Sequence, residues 1–536
     1  MNAVIPRPAA RATPDGAPAL AVAGPWRVRA DDDRLTGVAE TVRALLEPHL
    51  GARPLTEDAS AAHGSEILLL LDGTSVPPVL TLGTDPAGGT EPADEAYALT
   101  VGARGITCRA RTPQGVFRAA TTAVQLIATA PPGGTIDAQE LTDAPRYAWR
   151  GLLIDPARCF LTPAEVRGII DLAALYKLNV LHLHLTDNEG WRLELPSVPA
   201  LTRGQTDADG QRLFYTADEY RDLQAYAAQR HITLVPEIDL PGHCAALRAA
   251  LPGLPPAPAP ESARGFPFVP PLDLTDPDTH AAVSAVFADV CALTTGPFVH
   301  IGGDEAVGIT DACFVAGVRE LRALARKSGK RPVSWQEASR AGIGPEDLAQ
   351  FWVDVPMMDL PGTPEELAAR PDLLAAGMTM EFASALTSFF APSDDDTERI
   401  LAGGGRVLLS PQSHLYLDRR YSAEVTPPHR AQDAERLGFP TYRPRSVRHT
   451  ASWDPASHGI PDDRIAGVEA TVFGETLTGL DDLTTLLLPR LGSVAEAAWS
   501  GRAAAWEEYR HRLARHARVW RERGLAHFDA LDVPWE

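Results

Sequence analysis

The clearest chemical signal in the chain is Val299-His300-Ile301-Gly302-Gly303-Asp304-Glu305-Ala306. An apolar run from Phe298 to Ile301 breaks at two glycines and delivers two adjacent carboxylic acids, Asp304 and Glu305. The pattern reads as a buried strand that ends at the pair. Neighbouring carboxylates repel each other and burial disfavours their charged forms, so at least one pKa should rise towards the range of a general acid working near neutrality. The bland alternative is a helix N-terminus, where Asp and Glu offset the macrodipole. The surroundings favour the strand end.

Those surroundings alternate short apolar strands with helices. Candidate strands are 151–155, 179–186, 232–239, 297–304, 332–336, 348–353, 407–411 and 465–473, each apolar enough to be buried on both faces. Thr162-Pro163-Ala164-Glu165 and Thr216-Ala217-Asp218-Glu219 are capping boxes that open two of the intervening helices. A closing helix is expected over 503–523. About eight strand–helix units predict an α/β fold, a (β/α)8 barrel, over residues 146–536. Residues 21–145 mix short strands (66–71, 97–101, 105–109) with helices (40–49, 112–130), which predicts a small non-catalytic α+β domain. Residues 1–20 are Ala/Pro-rich and read as a disordered leader. Residues 254–271 are Pro-rich and read as a long loop. Residues 359–395 read as an insertion between the sixth and seventh strands, with no role assigned.

Barrel enzymes place their chemistry at the C-terminal ends of strands. Here those ends offer Asp155 with Arg158, Asp187, Glu237 with Asp239 and His243, Asp304 with Glu305, Trp335 with Glu337, and Trp352. Further on come Tyr416, Asp418, Trp453 and Glu475. Carboxylates, an arginine and several aromatics around one rim suit a sugar: rings cover the apolar face of a pyranose, carboxylates accept from its hydroxyls and arginine donates to them.

The totals narrow the partners. A net charge of −21 over 536 residues argues against nucleic acid or an anionic membrane as partner and leaves neutral ligands open. The five cysteines show no CxxC spacing, so neither a disulfide framework nor a zinc knuckle is expected, and buried thiols in a reducing, cytoplasmic setting are the default. The first residues have no secretory pattern, and no run reaches the ~18 apolar residues of a membrane span.

The ordered motifs 149–158, 177–187, 190–192, 236–243, 300–305, 335–337, 416–418 and 496–499 resemble glycoside hydrolase family 20, the β-N-acetylhexosaminidases. The domain before them, with Gly115-Val116-Phe117, resembles the α+β domain common in that family. The resemblance implies exo-acting, retaining cleavage of terminal β-linked N-acetylglucosamine or N-acetylgalactosamine, without metal or other cofactor. The nucleophile would be the substrate's own 2-acetamido carbonyl. By the same resemblance Glu305 is the acid and base, Asp304 holds the acetamido N–H, and Tyr416 orients the carbonyl. Arg158, Asp418 and Glu475 would bind hydroxyls, and Trp335, Trp352 and Trp453 would wall the acetamido pocket and the ring. Asp187 and His243 would support Glu305 from behind. Three positions depart from the family pattern and bear on affinity and preference: Phe473 for a usual Trp, Cys159 for a common His, and Asn188-Glu189 for Asp-Gln. Other readings stay open. They are a two-carboxylate glycosidase using Glu237 or Asp187, a sugar-binding barrel without catalysis, and a metal-dependent hydrolase built on His182 and His184 with His243, His300 and Asp304.

Overall fold

The computed structural model describes residues 3–56, 64–74, 76, 79–260, 269–354, 360–375 and 377–536. The N-terminal part contains β1 (Ala10–Ala12), β2 (Leu20–Ala21), β3 (Trp26–Ala30), β4 (Ser65–Leu71), β5 (Tyr97–Gly102), β6 (Gly105–Ala110), β7 (Thr135–Ile136) and β8 (Gln139–Asp143). Six of them form one sheet in the order β1-β8-β5-β6-β4-β3, while β2 pairs with β7. Helices α1 (Thr36–Leu50) and α2 (Pro113–Ala128) pack on each other, and α2 packs on β4, β5 and β6. Thr112 caps α2 by accepting from the Gly115 N–H, and Pro113 occupies the first turn, where its missing N–H matters least. The helix is buried from Gly115 to Ala128 because it also meets α3 (Pro163–Leu175) of the barrel.

The leader is not disordered. Ala3, Val4 and Ile5 are buried, and β1 pairs antiparallel with β8. Buried Gln125 of α2 supplies the partners that an irregular segment needs: its Oε1 accepts from the Ile5 N–H at 2.8 Å and its Nε2 donates to the Ile5 carbonyl at 2.6 Å. Low sequence complexity gave no hint of a partner 120 residues away.

From Trp149 onward, eight parallel strands close into a barrel. They are β9 (Trp149–Ile154), β10 (Val180–His184), β11 (Thr233–Glu237), β12 (Phe298–His300), β13 (Arg331–Trp335), β14 (Leu348–Phe351), β15 (Arg406–Leu409) and β16 (Ile465–Val472), with β16 pairing back to β9. All eight match the strand signals of the sequence. Both capping boxes form, at α3 and at α4 (Ala217–Ala228). Helices Trp506–Ala514 and His516–Glu522 replace the single closing helix expected over 503–523, with the break at Arg515. The 254–271 loop lies partly outside the described residues, as does the start of the 359–395 insertion. The described part of the insertion folds into short helices, among them Met380–Phe390. No helix among the described residues is long and apolar enough to cross a membrane.

The barrel interior is layered by the two-residue repeat of its strands. One residue from each strand (Trp149, Val180, Val235, Phe298, Val333, Leu348, Leu408 and Ala466) forms an apolar plug. Two residues further along, the inward positions turn polar: His182, Glu237, His300, Gln350 and Ser410 are all buried. Gly151 occupies the corresponding place on β9, where an added Cβ would fall 2.1 Å from Glu469 Oε2. The glycine makes room for that buried carboxylate.

If the first residues are part of the core, Ile5→Ala should lower stability by about 2–5 kcal/mol, as for other buried isoleucines. Thermal unfolding checks this. An unchanged midpoint would restore the disordered leader.

Candidate active site

Asp304 and Glu305 follow β12 through a backbone that only glycine can trace. Gly302 has φ +72, and a Cβ there would lie 1.8 Å from Asp239 Oδ1. Glu305 itself sits at φ +40, a left-handed conformation that strains a non-glycine residue, and its carbonyl accepts from the Val307 N–H at 2.6 Å. The next helix begins only at Asp311, so the pair does not cap it. Asp304 is largely buried, whereas the Glu305 side chain is 38% exposed. Burial, with Asp239 adding its negative charge, raises the Asp304 carboxyl well above the usual carboxylate range.

Behind the pair stands His243. Its Nδ1 is 3.1 Å from Asp187 Oδ1, and its Nε2 is 3.7 Å from Glu305 and 3.9 Å from Asp304. Burial opposes protonation of this ring, but Asp187 outweighs it and pushes the pKa up to about 9. Asp187 also receives His184 Nε2 at 2.9 Å and Arg158 at 2.7 Å. Arg158 bonds Asp155 at 2.9 Å as well, and lies 3.4 Å from Glu189 and 3.9 Å from Glu475. The arginine thus pairs with Asp155 and reaches the pocket too.

The centre of the polar layer is Glu237. His184 Nδ1 at 2.5 Å, His300 Nδ1 at 2.8 Å and the Trp335 indole N–H at 2.8 Å all meet it, with His182 Nε2 at 3.3 Å. Burial disfavours its charge, yet the imidazoles hold its pKa well below the usual range. His182 spans Glu237 and Glu469, and His184 spans Glu237 and Asp187. Despite burial, these carboxylates raise both rings, His182 to about 9 and His184 well above the usual histidine range. His182, Glu237 and His300 each bring a ligand atom within 4.8 Å of the others, as do His184, Glu237 and Asp239, and in both sets the imidazoles already face the carboxylate of Glu237.

Above this layer the aromatics gather. Trp335, Trp352 and Tyr416 cluster with Leu153, Val353 and Phe390, and Phe473 packs against them. Trp352 and Tyr416 lie nearly parallel, with centroids 6.0 Å apart, and Phe473 is 5.4 Å from Tyr416. Gln336 Oε1 fixes the turn after β14 by accepting from the N–H groups of Trp352 and Val353, and the Trp352 indole donates to Glu337 at 3.0 Å. Burial, with Tyr442, Asp304 and Asp418 nearby, raises the Tyr416 phenol well above its usual range and keeps it a neutral donor. Asp418 is buried with no hydrogen-bond partner on either carboxylate oxygen, and Asp304 Oδ1 is in the same state. Buried carboxylate oxygens without partners are unsatisfied acceptors that a ligand's donors would satisfy.

One predicted residue lies elsewhere. Trp453 belongs to the main core, where its indole donates to His458 at 3.0 Å, and that histidine packs edge-on against Phe351. The pocket receives Phe473 instead. Sequence reasoning missed Tyr442, 6.3 Å from Tyr416 on an irregular stretch, and Phe390, whose ring meets Trp352 edge-on at 5.7 Å from the insertion. Neither stands next to a strand signal that could have flagged it.

A closed parallel barrel whose rim carries a carboxylate pair beside a box of aromatic rings has the parts that a carbohydrate-cleaving hydrolase needs. The comparisons give the family. Residues 147–502 match the profile "Glycosyl hydrolase family 20, catalytic domain", and residues 1–144 match "Glycosyl hydrolase family 20, domain 2". A β-N-acetylhexosaminidase from Cellulomonas fimi is 34% identical, covering 99% of this chain and 97% of that relative. Among solved structures, a family 20 β-N-acetylglucosaminidase superposes with a TM-score of 0.76 at 31% identity, covering 100% of both chains. A mutant Streptomyces plicatus β-hexosaminidase in complex with product GlcNAc follows at 0.75 and 30%, covering 100% of this chain and 98% of its own. The protein belongs to glycosyl hydrolase family 20 and is a glycoside hydrolase.

Burial and the nearby Glu475 carboxylate raise Asp418 to about 8. The unfolded value is about 4, so ionising Asp418 removes stability progressively from about pH 4 to about pH 8, above which the loss is complete. Asp418→Asn cannot ionise. It should melt above wild type, by a gap that widens from pH 5 to pH 8 and then levels. Melting curves that stay parallel across this range contradict the burial argument.

Proposed function

We propose that this protein is an exo-acting, retaining β-N-acetylhexosaminidase that removes terminal β-linked N-acetylglucosamine or N-acetylgalactosamine by substrate-assisted catalysis. The observation that carries the reading is the pair of orphaned carboxylates, Asp304 and Asp418, beside the Trp335–Trp352–Tyr416–Phe473 box. A sugar with a 2-acetamido group brings an N–H for one and hydroxyls for the other.

In this reading the sugar ring lies over Phe473, with Arg158, Asp418 and Glu475 on its hydroxyls and its acetamido group between Trp335 and Trp352. Tyr416 donates to the acetamido carbonyl and turns its oxygen towards the anomeric carbon. That oxygen bonds to the carbon as the glycosidic C–O bond breaks, and Glu305 gives its proton to the departing oxygen. In its carboxylate form Asp304 accepts from the acetamido N–H and offsets the positive charge of the oxazolinium, and that developing charge favours the ionised form against the burial that raises its pKa in the free protein. Glu305, now a carboxylate, takes a proton from water as the water oxygen attacks and the ring opens. Configuration is retained through two inversions. Fixing an intramolecular nucleophile in attack geometry can supply up to roughly 7–11 kcal/mol, more than the ~10²–10⁴-fold of the acid, so positioning is the larger task.

The two-carboxylate alternative lacks a free nucleophile in the geometry. Glu237 is fully buried and bound by imidazoles and an indole, and Asp187 is shared among Arg158, His184 and His243. The five buried, free cysteines fit a cytoplasmic, reducing setting.

The decisive assay compares 4-nitrophenyl N-acetyl-β-glucosaminide with the plain β-glucoside. Wild type should cut only the acetamido sugar. Glu305→Gln should lower kcat by ~10²–10⁴, and Asp304→Asn by a comparable factor. Equal cleavage of the plain glucoside restores the two-carboxylate mechanism, and no cleavage of either restores the binding-only barrel.

A further inference from the structure

Beside Glu305 opens a cavity of about 600 Å³ that none of the sugar-pocket rings lines. Its near edge is Gly303 and Glu305 themselves. One wall is apolar and comes from Phe314 and Val315 of the helix Asp311–Lys327. The insertion contributes to the lining too, through Ala385 and Phe389 of the helix Met380–Phe390. Two arginines also border it, but Arg399 is 2.5 Å and Arg340 3.2 Å from buried Asp396, so neither guanidinium is left over for an anion. The carboxyls of Glu305 and Glu337 also border it, and burial raises that of Glu337 well above the usual carboxylate range.

A general acid must lie within hydrogen-bond reach of the oxygen it protonates, so whatever is attached beyond that oxygen lies next to the Glu305 carboxyl. We propose that this cavity is the leaving-group site, that the insertion supplies part of its lining, and that it selects neutral leaving groups with a flat apolar face. An aryl group or the CH face of a second pyranose has that shape, and apolar walls with an aromatic ring suit both. The proposal rests on Glu305 as the acid. It also assigns a role to the insertion, as a selector of what the sugar is attached to.

The test is kcat/KM for three substrates, the 4-nitrophenyl and methyl β-glycosides of N-acetylglucosamine and the β-1,4-linked disaccharide of N-acetylglucosamine. Wild type is compared with Phe389→Ala, which opens the wall, and Ala385→Trp, which fills the cavity. Each variant should lower kcat/KM about tenfold for a substrate whose leaving group enters the cavity. The methyl glycoside should fall less than twofold, and inhibition by free N-acetylglucosamine should not change. A loss confined to the aryl glycoside assigns the site to aryl groups, a loss confined to the disaccharide assigns it to a second sugar, and a loss of both assigns the shared apolar face. Equal losses on all three substrates, no loss on any, or weakened inhibition by N-acetylglucosamine overturns the proposal. Thermal unfolding verifies that each variant is folded, and Ala385→Trp carries the test if Phe389→Ala is not. Failure of the acid reading would show separately, as an active Glu305→Gln enzyme.

Discussion

The site hangs on one buried carboxylate. Glu237 sits at the end of β11 with no exposure to solvent, a position that an isolated charge could not hold. Imidazoles from β10 and β12 and the indole of Trp335 from β13 converge on it, so a single group ties together four consecutive strands of the barrel. One branch runs through His184 and Asp187 to His243 and the carboxylate pair. The other fixes the plane of Trp335 at the foot of the aromatic box. Removing one member of such a network leaves the remaining buried charges uncompensated, which is why networks of this kind hold geometry so firmly.

Around that fixed centre, the pocket is built from interactions that do not favour the free fold. Asp304 lies beside Asp239 in a buried place, Asp418 is buried without a partner, and Glu305 adopts a left-handed backbone. Each of these disfavours the folded state slightly, and each is relieved or used when a ligand supplies donors or when a proton moves. Apolar burial such as the plug beneath offsets them, and the N-terminal domain is joined to the barrel through buried pairs such as Lys177 with Asp143 and Arg150 with Glu95.

The barrel was legible because its strands are buried on both faces and therefore apolar throughout, and because Thr-Pro-Ala-Glu and Thr-Ala-Asp-Glu are local capping signals that need no tertiary partner. The pair Asp304–Glu305 was legible for the same reason: a strand end and a carboxylate pair adjoin in sequence. The leader was misread because its order depends on Gln125, and Trp453 because a tryptophan on an irregular segment looks the same whether it faces a pocket or a core.

The sequence by itself determined the alternation of strands and helices, the closed α/β architecture and the residue types at each strand end, because these follow from local periodicity and from neighbours in the chain. Only the tertiary structure decided which carboxyls burial raises and which the imidazoles lower, which aromatic rings share a box, and that a helix from the 359–395 insertion lines the same cavity as the acid. Those outcomes depend on desolvation and on distances between strands far apart in sequence, and a linear pattern carries neither.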